Sequence, residues 1–261
     1  MQKDYLEFAK NISQKAGAKL YENFRKGEPS LRGLSKEVKS IYDEVADEII
    51  INGLKENYPE HSYLTEETGF VDKSSEFLWI IDPLDGTGNF ENHNPFFAVS
   101  IALFKGKEPL LGVVESPALK ERFWAISNEG AFREDLKSGK IIKMKVSDIS
   151  EKERAYVIFC EGGEKDKKAI YDIISFFHFS SKEIRKIGAA SLEIAWVASS
   201  RADAYITPKI PIWDIAAGLI LAKEAGARLY VEKEELDFKK LDPFSPINLF
   251  ISNGKLKFNL E

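Results

Sequence analysis

The stretch from Phe77 to Phe90 constrains this chain more than any other. Phe77-Leu78-Trp79-Ile80-Ile81 is an apolar run bounded by turn residues, the pattern of a strand buried on both faces. Pro83 has no N–H for a ladder and fixes its own φ, so the strand is predicted to stop and turn there. The turn carries Asp82 and Asp85 three positions apart, then Gly86, which lets the backbone approach a ligand, and the Thr87 hydroxyl among free backbone N–H groups. Asp-Gly pairs favour turns for local reasons alone. Here, however, Asp82 directly follows an apolar strand, where a carboxylate is costly to desolvate without a compensating charge. No Lys or Arg lies within the stretch, so a metal is the better candidate. Hard oxygen ligands beside an anion cradle suit Mg²⁺ with a bound phosphate.

Composition narrows the setting. A chain of 261 residues buries a substantial core, as one large domain or two closely packed halves. Its net charge of −5 gives no nucleic-acid footprint. The single cysteine, Cys160, excludes an intramolecular disulfide and reads as a small buried hydrophobe. The opening Met1-Gln2-Lys3-Asp4-Tyr5 has no signal-type apolar region, and no apolar run is long enough to span a bilayer, so a cytoplasmic location without a membrane partner is expected.

Leu6, Ala9, Ile12, Ala16, Leu20 and Phe24 recur at helical spacing, which predicts a long amphipathic helix over 4–25. The polar, basic segment Lys26 to Glu37, punctuated by Gly27, Pro29 and Gly33, reads as a loop. A second helix places Val38, Ile41, Tyr42, Val45 and Ile49 on its apolar face, with Asp43, Glu44, Asp47 and Glu48 elsewhere. Asp43 and Asp47 stand at i and i+4, where like charges repel unless something cationic is near. Phe97 to Phe104, Leu110 to Val114 and Arg122 to Ile126 read as antiparallel strands, with a hairpin near Asn128-Glu129-Gly130 and another over 134–145. Ala155 to Cys160 is a predicted strand and Lys165 to Phe177 a helix. Gly188-Ala189-Ala190 opens an apolar helix, where small residues serve tight packing and close ligand approach equally. Ala202 to Thr207 leads as a strand to Trp213-Asp214, with Asp214 read as opening a helix over 215–225, and Asn248 to Ser252 gives one more strand.

Trp79-Ile80-Ile81-Asp82-Pro83-Leu84-Asp85-Gly86-Thr87-Gly88-Asn89-Phe90 resembles the first signature of the inositol monophosphatase family. These are Mg²⁺-dependent phosphatases, and they include archaeal enzymes acting on fructose 1,6-bisphosphate. Trp213-Asp214-Ile215-Ala216-Ala217-Gly218, continuing to Ala225-Gly226-Ala227, resembles the second signature, in the family's order. The resemblance implies an α+β fold layered αβαβα: a mostly antiparallel N-terminal sheet over 1–147 with the metal site, and a smaller α/β half over 148–261 that contributes Asp214. It implies two or three Mg²⁺ ions. Glu67, Asp82 and the Leu84 carbonyl hold one, Asp82, Asp85 and Asp214 a second, and a weaker third shares Glu67. Glu67 enters because Thr65-Glu66-Glu67 is similar to the family's Gly-Glu-Glu segment, with Thr65 in place of Gly. Asp43 and Thr87 take the activation of the attacking water, with Asp47 in reserve. The loop over 26–37 helps to organise the metals. Asp85, Gly86, Thr87, Arg185 and Ala190 contact substrate.

Lys209 offers a cation to a second phosphate, and Thr207 stands where inositol-specific relatives carry an acid. The expected activity is hydrolysis of small sugar phosphates such as fructose 1,6-bisphosphate or inositol 1-phosphate, by a homodimer. The alternatives are a 3′-phosphoadenosine 5′-phosphate phosphatase and a non-catalytic regulatory binding protein on the same fold. Other phosphatase chemistries fit the spacing poorly. An aspartyl-nucleophile enzyme separates its two acids by one residue, whereas Pro83 and Leu84 intervene here. A cysteine phosphatase needs an Arg six residues after its nucleophile, and Asp166 occupies that place after Cys160. Three histidines, His61, His93 and His178, do not assemble a dinuclear centre.

Overall fold

The apolar run becomes an interior strand of the larger of two sheets. The computed structural model describes residues 2–25, 36–162 and 167–256. The first sheet contains β1 (Ser62–Thr65), β2 (Gly69–Val71), β3 (Phe77–Asp85), β4 (Ala98–Lys105), β5 (Glu108–Ser116), β6 (Glu121–Ile126), β7 (Gly130–Asp135) and β8 (Lys140–Lys143), in the order β2-β1-β3-β4-β5-β6-β7-β8. β1 runs parallel to β3, and every other neighbouring pair is antiparallel. One expectation is corrected here, because β3 continues through Pro83 to Asp85. The β3–β4 register is irregular between Asp82 and Asp85, and β1 pairs only as far as Ile81. Pro83 therefore sits in a bulge, where no ladder bond is asked of it.

Helices α1 (Gln2–Arg25) and α2 (Lys36–Asn57) cover one face of this sheet. Leu6, Ala9, Ile12, Ala16 and Leu20 are buried with Trp79, Ile81 and Leu103, as the helical period requires. The segment 26–35, most of the loop expected to organise the metals, lies outside the described residues.

The opposite face receives α5 (Ala190–Ala198) and α6 (Ile212–Glu224), and α6 packs on β3 through β7. Gly112 makes this approach feasible: a Cβ there would lie 2.7 Å from the Ala217 carbonyl oxygen. Beyond these helices stands the second sheet. It is formed by β9 (Tyr156–Phe159), β10 (Glu183–Arg185), β11 (Ala204–Ile210), β12 (Arg228–Val231), β13 (Glu234–Glu235) and β14 (Ile247–Ser252), in the order β10-β9-β11-β14-β12-β13. Helix α4 (Lys167–Ser180) closes its outer side, with Phe177 buried against Phe250. The layers thus run helix, sheet, helix, sheet, helix, in agreement with the expected αβαβα class. A boundary at 147/148 falls between the sheets, but one buried core crosses it, joining Ile80, Ala102 and Val114 to Leu192, Leu219 and Ile251. The sequence reading omitted β12 and β13, which are short, β13 lying at the sheet edge.

Candidate active site

The end of β3 is held by a set of local bonds. Asp82 Oδ1 accepts from the Leu84 N–H at 3.0 Å, and this bond shapes the bulge. Asp85 points across to α5: its Oδ1 accepts from Ala190 N–H at 2.9 Å, and its Oδ2 from the N–H and hydroxyl of Ser191 at 2.7 and 2.5 Å. The helix N-terminus, with its unpaired amides and positive dipole end, is where a carboxylate is best accommodated. Gly86 follows with φ +87°, and a Cβ there would lie 2.7 Å from the Phe96 carbonyl oxygen, so both the backbone and the space demand glycine. The chain then enters the single turn α3 (Thr87–Glu91), whose first N–H groups have no intrahelical acceptor. The Thr87 hydroxyl lies 3.1 Å from Asp43 Oδ1 on α2 and 3.1 Å from the Leu84 carbonyl oxygen. The pairing of Thr87 with Asp43 is the one the sequence reading expected.

Three acids converge beside this turn. Carboxylate oxygens of Glu66, Asp82 and Asp214 all lie within 4.8 Å of one another. Asp82 is buried, Glu66 is exposed, and Asp214 retains some exposed surface while its carboxyl lies deep among the others. Burial pushes the Asp82 carboxyl well above the ordinary range, and the charges of Asp85, Glu66 and Asp214 push it further. Asp214 is raised in the same way, by burial and then by Asp85 and Glu66. Asp85 is raised to about 6 by burial, against which the bonds from Ser191 and Ala190 work. Carboxylates so placed repel one another unless a cation intervenes. A hard divalent ion with oxygen ligands fits this donor set, whereas a soft metal would call for sulfur or imidazole. Asp43, also buried, is raised to about 7, chiefly by burial, with Thr87 opposing and Glu67 and Glu66 adding.

The acid brought into this group is Glu66, not the Glu67 assigned by resemblance. Thr65 ends β1, and its Oγ1 accepts from Thr68 N–H at 2.8 Å, so Glu66 and Glu67 are the two tip residues of a tight turn. Glu66 faces Asp82 and Asp214, while Glu67 lines a polar hollow with Glu44, Asp47, Glu48 and Thr68. Asp214 also sits differently from expectation. α6 begins at Ile212 with Pro211 as its cap, so Asp214 lies within the first turn and is not the capping residue.

The substrate-contact assignments are spread more widely. Ala190 is at the site through its bond to Asp85. Arg185 is half exposed at the end of β10, with its guanidinium 2.6 Å from Glu183 and over the Tyr156 ring. Lys209 occupies the irregularity in β11 with φ +46°, its N–H donating to Asn248 Oδ1 at 3.0 Å. Thr207 is buried. A hollow of about 860 Å³ opens between α4 and the outer face of the second sheet, lined by Ile173, Phe176, Tyr230 and Phe250, and it contains none of the converging acids.

With this geometry in view, comparison with known proteins is decisive: the profile of the inositol monophosphatase family matches residues 1–246. The chain belongs to that family. It is 34% identical over 227 residues to the fructose-1,6-bisphosphatase/inositol-1-monophosphatase of Aquifex aeolicus, covering 86% of this chain and 84% of the relative. It is 35% identical to the Nus factor SuhB of Vibrio cholerae, covering 85% and 83%. Among solved structures, the inositol monophosphatase of Anabaena superposes with a TM-score of 0.80 at 28% identity, covering 97% of this chain and 92% of that one.

Within this inositol monophosphatase framework, sequence reasoning missed the residues that lock the two halves around the site. Asn89 donates its amide to the carbonyls of Phe96 and Ile187 at 2.8 Å each and Gly188 at 3.1 Å. Glu193 on α5 accepts from the N–H groups of Ile187 and Gly188 at 2.7 and 2.8 Å. A carboxylate in the middle of an apolar helix is the sequence signal by which Glu193 could have been found. Among the described residues, no helix is long and apolar enough to cross a membrane.

Proposed function

We propose that this chain is a Mg²⁺-dependent phosphomonoesterase of small sugar phosphates, with fructose 1,6-bisphosphate and inositol 1-phosphate among its substrates. The convergence of Glu66, Asp82 and Asp214 beside the Thr87–Asp43 pair carries this reading. Glu66, Asp82 and Asp214 would hold Mg²⁺, together with the Leu84 carbonyl and Asp85. When bound, the ion acidifies nearby water and stabilises charge on the attacking and leaving oxygens.

The remaining work falls to the chain itself. The N–H groups of Gly86 and Thr87 bind the non-bridging phosphate oxygens, in the orientation fixed by the left-handed Gly86. Water attacks phosphorus as the ester P–O bond breaks, and the departing sugar oxygen takes up a proton from solvent water to leave as the alcohol. The attacking water's proton passes through the Thr87 hydroxyl to Asp43, whose Oδ1 lies 3.1 Å from that hydroxyl. Asp85, tied to α5, keeps the second half of the chain in register with the phosphate turn. Lys209 and Arg185 are the cations assigned to a second, uncleaved phosphate, and Arg185 must leave Glu183 to serve it.

The experiment is phosphate release by the purified protein with Mg²⁺ over a panel of fructose 1,6-bisphosphate, inositol 1-phosphate and 3′-phosphoadenosine 5′-phosphate. Turnover of the first two that is abolished by chelator and by Asp82→Asn is expected. A hundredfold higher kcat/KM on the phosphoadenosine substrate would overturn the substrate assignment.

A second reading, a regulatory binding protein, is favoured by one observation, the similarity to a relative named Nus factor SuhB. The retained acids at the site argue against it as the sole role. Absence of turnover on the whole panel would favour it.

A further inference from the structure

Helix α2 presents two buried acids to the site one turn apart, and only Asp43 has been given work so far. Asp47 is as deeply buried as Asp43, with 5% of its surface exposed against 4%. Its Oδ2 accepts from the Thr68 hydroxyl at 2.5 Å. Thr65 Oγ1 in turn closes the turn by accepting from Thr68 N–H. The far end of the Thr65–Thr68 turn is therefore tied to a carboxylate on α2, and Glu66 is the first residue between Thr65 and Thr68. Across β1, Thr65 pairs with Ile81, the neighbour of Asp82. The spacing that looked repulsive in sequence thus resolves into two hydroxyl partners: Asp43 takes Thr87, and Asp47 takes Thr68.

We propose that Asp47 is a positioning residue for the metal-ligating acid Glu66, acting through Thr68. It touches neither substrate nor reacting atoms. It fixes the turn so that the Glu66 carboxylate meets Asp82 and Asp214, while the same helix fixes Thr87 through Asp43. The inference rests on the reading of Glu66, Asp82 and Asp214 as a Mg²⁺ site. Outer partners that orient a ligand typically govern metal affinity by 10- to 100-fold (an order-of-magnitude range). Thr68 is exposed, so replacing it removes the tie without opening the core.

The test is calorimetric titration of the whole chain with Mg²⁺, alongside the Mg²⁺ concentration giving half-maximal phosphate release. Thr68→Val is expected to weaken Mg²⁺ binding by roughly tenfold or more. Thr68→Ser, which keeps the hydroxyl, is expected to restore it. kcat at saturating Mg²⁺ should change much less than the half-saturating concentration. Asp47→Ala combined with Thr68→Val should bind Mg²⁺ no more weakly than Asp47→Ala alone, because both break one linkage. A wild-type chain that binds Mg²⁺ with an affinity indifferent to Thr68→Val, whatever happens to its melting temperature, overturns the positioning role alone. A wild-type chain that takes up no Mg²⁺ overturns both this role and the metal-site reading.

Discussion

Glu193 offers a sharp test of the electrostatics around the site. It is fully buried on α5, and its Oε1 accepts from the N–H groups of Ile187 and Gly188. Burial raises its carboxyl from an ordinary 4.5 to about 8. The two N–H bonds oppose the shift, and the charge of Asp85 adds to it. In the unfolded chain the group ionises near its ordinary value, so between these two pH values the folded chain binds more protons than the unfolded one. Stability is fully present below pH 4.5, falls as pH rises towards 8, and is level above that. At ~1.36 kcal/mol per pH unit, the gap sets a ceiling on the order of 5 kcal/mol.

Glu193→Gln keeps an oxygen for both N–H groups and removes the charge. The variant should therefore gain stability over wild type progressively, by on the order of 3 kcal/mol between pH 5 and pH 8. Urea unfolding of both proteins at pH 5, 6.5 and 8, with chelator throughout, measures this difference. A constant difference across pH, or one that shrinks as pH rises, would refute the reasoning. Glu193→Leu differs in kind, because it leaves two partly buried N–H groups without their acceptor, at up to about 1–3 kcal/mol each. It should be less stable than wild type at pH 5.

Other changes probe the phosphate turn and the thiol. Gly86→Ala forces a side chain into φ +87° and against the Phe96 carbonyl. The left-handed conformation alone costs about 1–2 kcal/mol, so the melting temperature should fall by several degrees and phosphate release should be lost; wild-type melting refutes the packing argument. Thr87→Ala and Asp43→Asn should each lower kcat by about 10²–10⁴, and together by little more than either alone, since they act on one proton. A loss below tenfold in either variant removes that residue from the proton path. The Cys160 thiol is pushed up to about 11, mainly by burial. Iodoacetamide at pH 8 should therefore label the folded protein far more slowly than the protein in urea, and equal rates would refute that placement.

The parts of the fold legible in sequence were those where one periodicity dominates. The α1 stripe of Leu6, Ile12 and Leu20 and the near-continuous apolar runs of β4 to β6, buried on both faces, fold as their patterns dictate. Pro83 misled because its rule concerns ladder bonds, and a bulge suspends the ladder where it stands. Asp214 misled for a related reason. Asp is the commonest local cap, but Pro211 had already started the helix, since a residue with fixed φ and no N–H does well at a helix entry.

The choice between Glu66 and Glu67 marks where linear reasoning stops. Two adjacent acids in Thr65-Glu66-Glu67-Thr68 are chemically identical, and neither hydropathy nor charge distinguishes them. What separates them is direction, and direction in a four-residue turn is set by which side chain closes it. Thr65 closes it here with its hydroxyl, and Asp47, 21 residues before Thr68 in sequence, anchors the far end by accepting from the Thr68 hydroxyl. A Gly at position 65, the residue usual in the family segment, has no hydroxyl with which to do this. The turn in this chain therefore depends on Asp47 in a way a Gly-closed turn does not. It follows that Thr65→Gly should weaken Mg²⁺ binding in the wild-type background but add little once Asp47 is Ala. If Thr65→Gly instead weakens binding equally in both backgrounds, the Thr65 hydroxyl and Asp47 act on the turn independently, and the dependence of the Thr65 closure on α2 is refuted.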